Sequence, residues 1–391
     1  MMPVVSLSRI LVGLVLLLRF VTMAWAQTEV DPGAVSDGLK AIFKYGPGTH
    51  ETADRLNSNT VTIMTGTIAG TYVQFGADLA SALDNGDQLR VLPIIGRGSV
   101  QGVADILFLK GVDLGIVRSD TLDYLEKRGY ANNIKKQFTF ITKLYNEEMH
   151  VLAPKSIRTL ADLEGKTVAV DLPNGGTFVT SIIVFERLGI HANFAYIEQR
   201  LAYEKLKKGE IDAMISVQGK PSKFNSGVKD ENLHFVPVDY AKSLQPDFLP
   251  AQLTSEDYPN MVPKGERIDT IAVPAVLAAY NWSPNTERYR RLARFVDVFF
   301  NKIAALQQPP FHPKWKEVAL NAPLSGWSRF RPAQEWLDRN SSTMASADAR
   351  RKFDQFLGDN QVRAVAPAKP EDREALFRQF LEWQKNQPVA R

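Results

Sequence analysis

The sequence contains no cysteine and five histidines among its 391 residues. The absence of cysteine excludes disulfides, thiol chemistry, cysteine-ligated metal sites and lipid attachment to a cysteine. The histidines are scattered along the chain, and neither an H-E-x-x-H motif nor a G-x-S-x-G turn occurs. We therefore expect no metal, no cofactor and no enzymatic activity.

Apolar runs long enough to cross a bilayer, about 20 residues, are also lacking. Residues 10–18 form a short apolar run that follows Arg9 and precedes Ala24-Trp25-Ala26. A basic start, a short apolar core and an A-x-A end are typical of a cleaved signal peptide. We predict a signal peptide over residues 1–26 and a periplasmic protein.

The sequence also lacks a strong excess of either positive or negative charge. The formal net charge of +4 falls to +2 when Arg9 and Arg19 leave with the signal peptide. Because nucleic-acid binding usually needs a strongly basic face, we expect no nucleic-acid partner.

From residue 60 onward, a short apolar strand, a loop containing Gly, Ser or Thr, and a helix follow one another repeatedly. The pattern pauses after the third strand and starts again after residue 150. Two such sets predict two open α/β sheets, and one large doubly wound domain is the alternative. The predicted strands cover residues 61–65, 89–95, 112–117, 167–170, 194–197 and 211–217.

Two further stretches, residues 143–153 and 270–280, are strand-like and would carry the chain between the two sets. A helix with a wide apolar face is expected over residues 285–306. The predicted organisation is a signal peptide (1–26), a lead-in (27–58), lobe 1 (59–147 plus 272–338), lobe 2 (148–271) and a helical or flexible C-terminal tail (339–391).

Three loops that follow predicted strands, 66–72, 96–100 and 174–178, are rich in Gly, Ser, Thr or Asn. In open α/β sheets, ligands bind at the carboxyl ends of strands, where helix N-termini direct free N–H groups at them. The loops therefore predict a site for a carboxylate or phosphate. Arg97, Arg118 and Lys220 lie near strand ends and could grip a carboxylate, or each could be a solvated surface charge.

Glu147 and Glu148 are adjacent acidic residues in a predicted strand. Neighbouring side chains on a strand point to opposite faces, so the pair is poorly placed for joint acid–base catalysis. We interpret them as hinge or surface residues.

The order of several motifs resembles the TAXI solute-binding proteins, the extracytoplasmic subunits of one class of TRAP transporter. The resemblance covers roughly residues 60 to 338. One departure stands in the loop after residue 170, where Asp171 replaces a typical glycine and Gly175 a typical serine. The added negative charge would weaken anion binding or select a ligand with an amino group. The matching segments are Thr65-Gly66-Thr67-Ile68-Ala69-Gly70-Thr71-Tyr72, Gly98-Ser99, Val117-Arg118-Ser119-Asp120 and Leu163-Glu164-Gly165-Lys166-Thr167-Val168-Ala169-Val170.

The resemblance implies a type II periplasmic-binding-protein-like α/β fold, with two open lobes joined by a hinge. It implies capture of a small organic anion, a dicarboxylate or an amino acid such as glutamate, and delivery to a TRAP-type membrane permease. A ligand sensor that signals to a membrane protein is the alternative, and we expect a monomer. The predicted ligand-binding residues are Gly66, Thr67, Gly70, Thr71, Tyr72, Ser99, Arg118, Ser119, Asp120, Asn174, Gly176, Thr177 and Lys220.

Overall fold

A computed structural model of the protein describes residues 50–68, 70–85, 88–341 and 377. The predicted signal peptide, most of the predicted lead-in and nearly all of the predicted tail lie outside the described residues. The chain divides into two compact units, Met1–Asn57 and Ser58–Arg391. The described part of the first unit is the start of helix α1 (His50–Asn59), and everything below concerns the second unit.

The first β-α set alternates strand and helix, as its sequence pattern predicts. Its three strands run parallel, with β1 between β2 and β3. Pro93 lies in the edge strand β2, where its missing N–H removes no bond from a central ladder. The elements are β1 (Thr60–Met64), α2 (Thr71–Leu83), β2 (Arg90–Ile94), α3 (Ser99–Phe108), β3 (Leu114–Arg118) and α4 (Ser119–Lys127).

The long strand β4 (Phe138–Pro154) leads to a second set with the same arrangement. Its parallel strands again place the first in the middle, with β5 between β6 and β7. Gly189 ends helix α5 in the left-handed conformation (φ 67°), which glycine adopts without strain. The elements are β5 (Thr167–Ala169), α5 (Gly176–Leu188), β6 (Asn193–Ala195), α6 (Gln199–Lys207), β7 (Ala213–Gln218), α7 (Lys223–Ser226), β8 (Leu233–Val236) and β9 (Leu249–Thr254).

Strand β10 (Arg267–Tyr280) returns to the first set and precedes α8 (Glu287–Leu306) and α9 (Arg331–Arg339). In the described residues, ten strands form one sheet with the order β2-β1-β3-β10-β4-β7-β5-β6, while β8 pairs with β4 and β9 with β10. Each parallel trio is thus completed by a long antiparallel strand, β10 in the first set and β4 in the second. The two crossings predicted from the sequence are β4 and β10.

Strand β4 changes partners at Glu148, which lies opposite both Ala272 of β10 and Gln218 of β7. Apolar clusters cover both faces of the sheet on either side of this point. Phe75 of α2 and Phe299 of α8 belong to one cluster beside the first set. Phe185 of α5 packs beside the second set. The division into lobe 1 and lobe 2 at residues 147 and 272 stays a prediction.

No helix in the described part of the chain has both the length and the apolar character needed to span a membrane.

Candidate functional site

Four helices of the two β-α sets begin at one cavity of about 80 Å³, which lies at the carboxyl ends of the parallel strands. The residues that precede α2, α3 and α5 are Gly70, Gly98 and Gly175, and none of them provides a side-chain cap. The first N–H groups of a helix have no acceptor within the helix, so these three N-termini present donors and a partial positive charge. Such an arrangement suits a negatively charged ligand group.

The lining combines both sets. From the first come Gly66, Thr67, Gly70, Thr71, Tyr72, Arg97, Gly98, Ser99 and Arg118. Glu147 of β4 joins them, and the second set contributes Asp171, Gly175, Gly176, Thr177, Gln199, Ile215, Ser216, Val217 and Gln218. Among the predicted ligand-binding residues, the structure brings Gly66, Thr67, Gly70, Thr71, Tyr72, Ser99, Arg118, Gly176 and Thr177 to the cavity.

A buried ion pair forms part of the wall. Arg118 Nε lies 2.6 Å from Glu147 Oε2, and the two residues are 5% and 2% exposed. Tyr72 donates its hydroxyl to the same carboxylate oxygen at 2.8 Å. Arg118 also donates Nη2 to the carbonyl of Val217, across to the second set. These contacts fix the plane of the guanidinium group.

The charge of Arg118 is well supported. Burial works against the charged guanidinium, but Glu147, Tyr72 and Asp120 together outweigh it and raise the pKa of Arg118. Burial, with the Glu147 carboxylate adding to it, raises the pKa of Tyr72 well above 10, so its hydroxyl stays a donor.

Buried nitrogen atoms on the wall have no hydrogen-bond partner among the described residues. They are Arg118 Nη1, Gln218 Nε2 and Gln199 Nε2. Unpaired buried polar atoms are rare and costly, because each has lost its contact with water without gaining another. Three buried, unpaired donors on residues that line one cavity favour a ligand with oxygen acceptors.

Glycines let the two sets approach closely. A β-carbon at position 176 would lie 2.3 Å from Arg118 Nη1, and one at position 98 would lie 3.0 Å from Gly175 Cα. Gly98 also has φ +116°, a conformation that L side chains rarely adopt. A backbone hydrogen bond from Gln101 to the carbonyl of Asn174 (3.1 Å) joins the loops directly.

Asp171 lines the cavity from the second set and has an unusual backbone, with φ +65° in a residue other than glycine. Its Oδ1 accepts a hydrogen bond from the backbone N–H of Leu172 at 2.8 Å. Burial raises the pKa of this carboxyl group, and Arg118 only partly opposes that effect.

Four predicted ligand-binding residues do not line the cavity. Asp120 is buried and accepts a hydrogen bond from Thr180 Oγ1 at 2.6 Å, which ties α4 to α5. Asn174 points its carbonyl at Gln101, and Ser119 is the first residue of α4.

Lys220 is the fourth of these residues. Its Nζ contacts Asp257 Oδ2 at 2.9 Å and the carbonyl of Gln252 at 2.7 Å. Lys220 lines a wider, separate groove together with Glu148. Strand β7 thus reaches the cavity with its last residue, Gln218, two residues before Lys220.

The interpretation of the two glutamates as surface residues is wrong. Glu147 and Glu148 are 2% and 3% exposed, at the point where β4 crosses between the sets. They do face opposite sides, as strand geometry requires. Glu147 meets Arg118, whereas Glu148 lies 2.7 Å from Lys314 Nζ and accepts the N–H of Lys220 at 2.9 Å.

Sequence reasoning missed Glu147, Gln199 and Gln218 as cavity residues. Gln218 could have been found, since it is the first residue after a predicted strand. Gln199 opens a helix of the same repeating unit. Glu147 had no such signal, because its place depends on how the crossing strand pairs.

No group of three or more His, Asp or Glu side chains in the described ranges is arranged to hold a metal ion.

The strand order defines the class of fold. In each β-α set, the first strand lies between the second and the third, and the third pairs with a long antiparallel strand. That strand is β10 in the first set and β4 in the second. This is the α/β fold of type II periplasmic binding proteins, and the predicted fold class is confirmed. The prediction of two separate sheets is wrong for the described strands, because β10 and β4 pair with each other and join the two sets into one sheet.

A family model described as the NMT1-like family matches residues 63–325, more than half of the chain. The protein belongs to the NMT1-like family.

Solved structures that resemble the chain share little sequence with it. The GluR0 ligand-binding core from Nostoc punctiforme, in complex with L-glutamate, is 13% identical, with a TM-score of 0.39, and the match covers 66% of this chain and 95% of that one. The periplasmic binding protein BugD is 13% identical, with a TM-score of 0.45 and coverage of 74% and 96%. Tv2483 bound to L-arginine is 12% identical, with a TM-score of 0.45 and coverage of 70% and 99%.

Proposed function

We propose that this protein is an extracytoplasmic solute-binding protein that captures a small organic anion in the cavity and delivers it to a TRAP-type membrane permease. The ligand is a dicarboxylate or an amino acid such as glutamate. The observation that carries the proposal is Arg118 Nη1, a buried cationic donor that has no partner among the described residues and belongs to the lining of the cavity where three helices begin.

A ligand carboxylate would satisfy that donor and the neighbouring amide of Gln218. Hydrogen bonds to a charged group stabilise a complex by about 1.5–3 kcal/mol each. A dissociation constant near 1 μM needs about 8 kcal/mol net. Two or three such bonds supply part of this, and burial of the ligand in the enclosed cavity supplies the rest.

Binding is favoured over catalysis by the state of Glu147, the acidic residue that β4 contributes to the cavity wall. Glu147 is held by Arg118 and by the hydroxyl of Tyr72. A general base needs a lone pair directed at the substrate, and the oxygen that accepts both bonds is committed elsewhere.

Capture proceeds by closure of the two β-α sets about the strands that cross between them, β4 and β10. The ligand binds one set first, and contacts from the other stabilise the closed form. Arg118 and Gly176 belong to different sets and meet in the cavity, so a ligand at this point has contacts with both. The closed protein then docks on the permease.

A thermal-shift screen of the purified protein against organic acids, amino acids and phosphates tests capture. We expect at least one small carboxylate to raise the melting temperature at micromolar concentration, because a ligand that binds the folded state stabilises it. Absence of a shift with every carboxylate would refute the proposal. Delivery is tested by uptake of the labelled ligand into vesicles that contain the permease, with and without the binding protein.

A further inference from the structure

A cavity that binds only anions gives no reason for the acidic residue Asp171 in its lining. The charged residues of the cavity lining are Arg97, Arg118, Glu147 and Asp171, which sum to zero. Arg118 is paired with Glu147, and Arg97 is exposed to solvent. No ion pair with Asp171 exists within the described residues. A dicarboxylate would therefore bring two negative charges beside an uncompensated third.

The backbone at Asp171 carries a cost of its own. Its φ of +65° is the left-handed conformation, which costs a residue other than glycine about 1 kcal/mol or more. The hydrogen bond from Leu172 N to Oδ1 offsets part of that cost. Strained residues of this kind cluster at ligand sites, where surrounding contacts hold them in place.

Asp171 also does not act as a cap for the neighbouring helix. Its Oδ2 lies 3.4 Å from the position that a β-carbon on Gly175 would take, close to the start of α5. Gly175, which precedes α5, provides no side-chain cap, and the hydrogen bond that Asp171 accepts comes from Leu172, outside the helix. Within the described part of the chain, Oδ2 accepts no hydrogen bond, so it can accept one from a donor that enters the cavity.

We propose that Asp171 binds the ammonium group of an amino-acid ligand, so that the cavity selects an amino acid over the carboxylic acid that lacks the amino group. This inference rests on the proposed function, because the ligand carboxylate is held by Arg118 and the helix N-termini. The ammonium group adds one positive charge beside Asp171 and gives its carboxylate a charge-assisted hydrogen bond.

Isothermal titration calorimetry of the purified protein with two matched pairs tests the inference: L-glutamate with glutarate, and L-alanine with propionate. The members of each pair differ by the amino group. We expect the amino acid of at least one pair to bind at least tenfold more tightly than its partner, which corresponds to one charged hydrogen bond.

The variant Asp171→Asn removes the charge and keeps the shape, and asparagine tolerates the left-handed backbone. We expect it to weaken amino-acid binding about ten- to a hundredfold, to leave or improve dicarboxylate binding, and to melt at the same temperature as the natural protein. The exposed Asp239 is not part of the cavity lining, and Asp239→Asn should leave both affinities unchanged.

Equal affinity for the two members of both pairs would overturn the inference and leave the proposed function standing. The same would follow if Asp171→Asn left the preference for the amino acid intact. If none of the four probes bound, the inference would be overturned, and the proposed function would be decided separately by the thermal-shift screen.

Discussion

Arg118 and Glu147 lie 2.6 Å apart, Nε to Oε2, although Arg118 ends the third strand and Glu147 lies in the crossing strand β4. The pair is buried, and Tyr72 completes the bonding of the carboxylate oxygen. Because Nε and Nη2 are both bound, the guanidinium is held in one orientation, with Nη1 next to Gly176 of the cavity lining. Glu147 is thus a positioning residue for the proposed anion contact.

Arg118→Met should destabilise the protein strongly. The substitution would leave the Glu147 carboxylate buried without its cation, which costs about 3–5 kcal/mol of folding free energy. Urea unfolding followed by circular dichroism measures the free energy of unfolding. The double variant Arg118→Met/Glu147→Gln removes both charges and should recover most of the loss. If Arg118→Met were as stable as the natural protein, the ion pair between Arg118 and Glu147 would not contribute to the free energy of unfolding.

Gly176→Ala should weaken ligand binding without unfolding the protein. The new β-carbon would lie 2.3 Å from Arg118 Nη1 and 2.9 Å from Ser99 Oγ, so the guanidinium must move. We expect a loss of affinity of at least about tenfold, the equivalent of one charged hydrogen bond, measured by calorimetry. The matched control is Gly102→Ala in α3, whose β-carbon would meet Val117 at an ordinary 3.6 Å. Equal affinity in both variants would contradict the tight approach at position 176.

Asp120 should make stability depend on pH. Burial raises the pKa of its carboxyl group to about 6 from 3.8, although Arg118 opposes the shift. The folded state therefore holds a proton more tightly than the unfolded state, and the contribution is present below pH 4 and lost as pH rises through 6. Two pKa units correspond to about 3 kcal/mol. The groups that act on Asp120 are Arg118, Thr180, Glu147 and Thr121.

The variant Asp120→Asn isolates this effect, because the asparagine oxygen can still accept the bond from Thr180 and does not titrate. The difference in unfolding free energy between the natural protein and the variant should fall as pH rises from 4 to 7. A difference independent of pH would mean that Asp120 does not titrate in this range.

Lys314→Met should destabilise the fold and leave ligand affinity unchanged. Lys314 Nζ lies 2.7 Å from Glu148 Oε1, on the side of β4 opposite the cavity. Removing the cation leaves a buried carboxylate, at a cost of about 3 kcal/mol. Calorimetry and urea unfolding on the same samples separate the two effects. In Lys314→Met/Glu148→Gln, stability should largely return. A loss of ligand affinity in either variant would contradict the assignment of Glu147 to the cavity and of Glu148 to the opposite side of β4.

Local sequence signals predicted the repeating β-α units well. Apolar runs that end in Gly, Ser or Thr loops mark β1, β2 and β3, and Gly189 marks the end of α5. Thr159 and Asp162 form a capping box at the start of a short 3₁₀ turn, Leu160–Leu163. These features depend on neighbouring residues alone.

The elements that the sequence did not predict depend on distant partners. Strand β8 is stabilised by pairing with β4, and β9, which contains Pro250, by pairing with β10. Parts of the candidate site also depend on residues that are far apart in the sequence. The loops at residues 66–72 and 96–100 reach the cavity, but the pairing of Glu147 with Arg118 follows from the register of β4 against β10. Such a register is not readable from either segment by itself.

The most direct test of the central claim compares ligand affinity in the natural protein and in Arg118→Met/Glu147→Gln, two proteins expected to have similar stability. The ligand is the acid that gives the largest thermal shift, and the method is isothermal titration calorimetry. We predict one site with a dissociation constant of about 1 μM or below in the natural protein, and binding at least about a hundredfold weaker in the variant. Equal affinity in the two proteins would place the ligand elsewhere and contradict anion capture by Arg118.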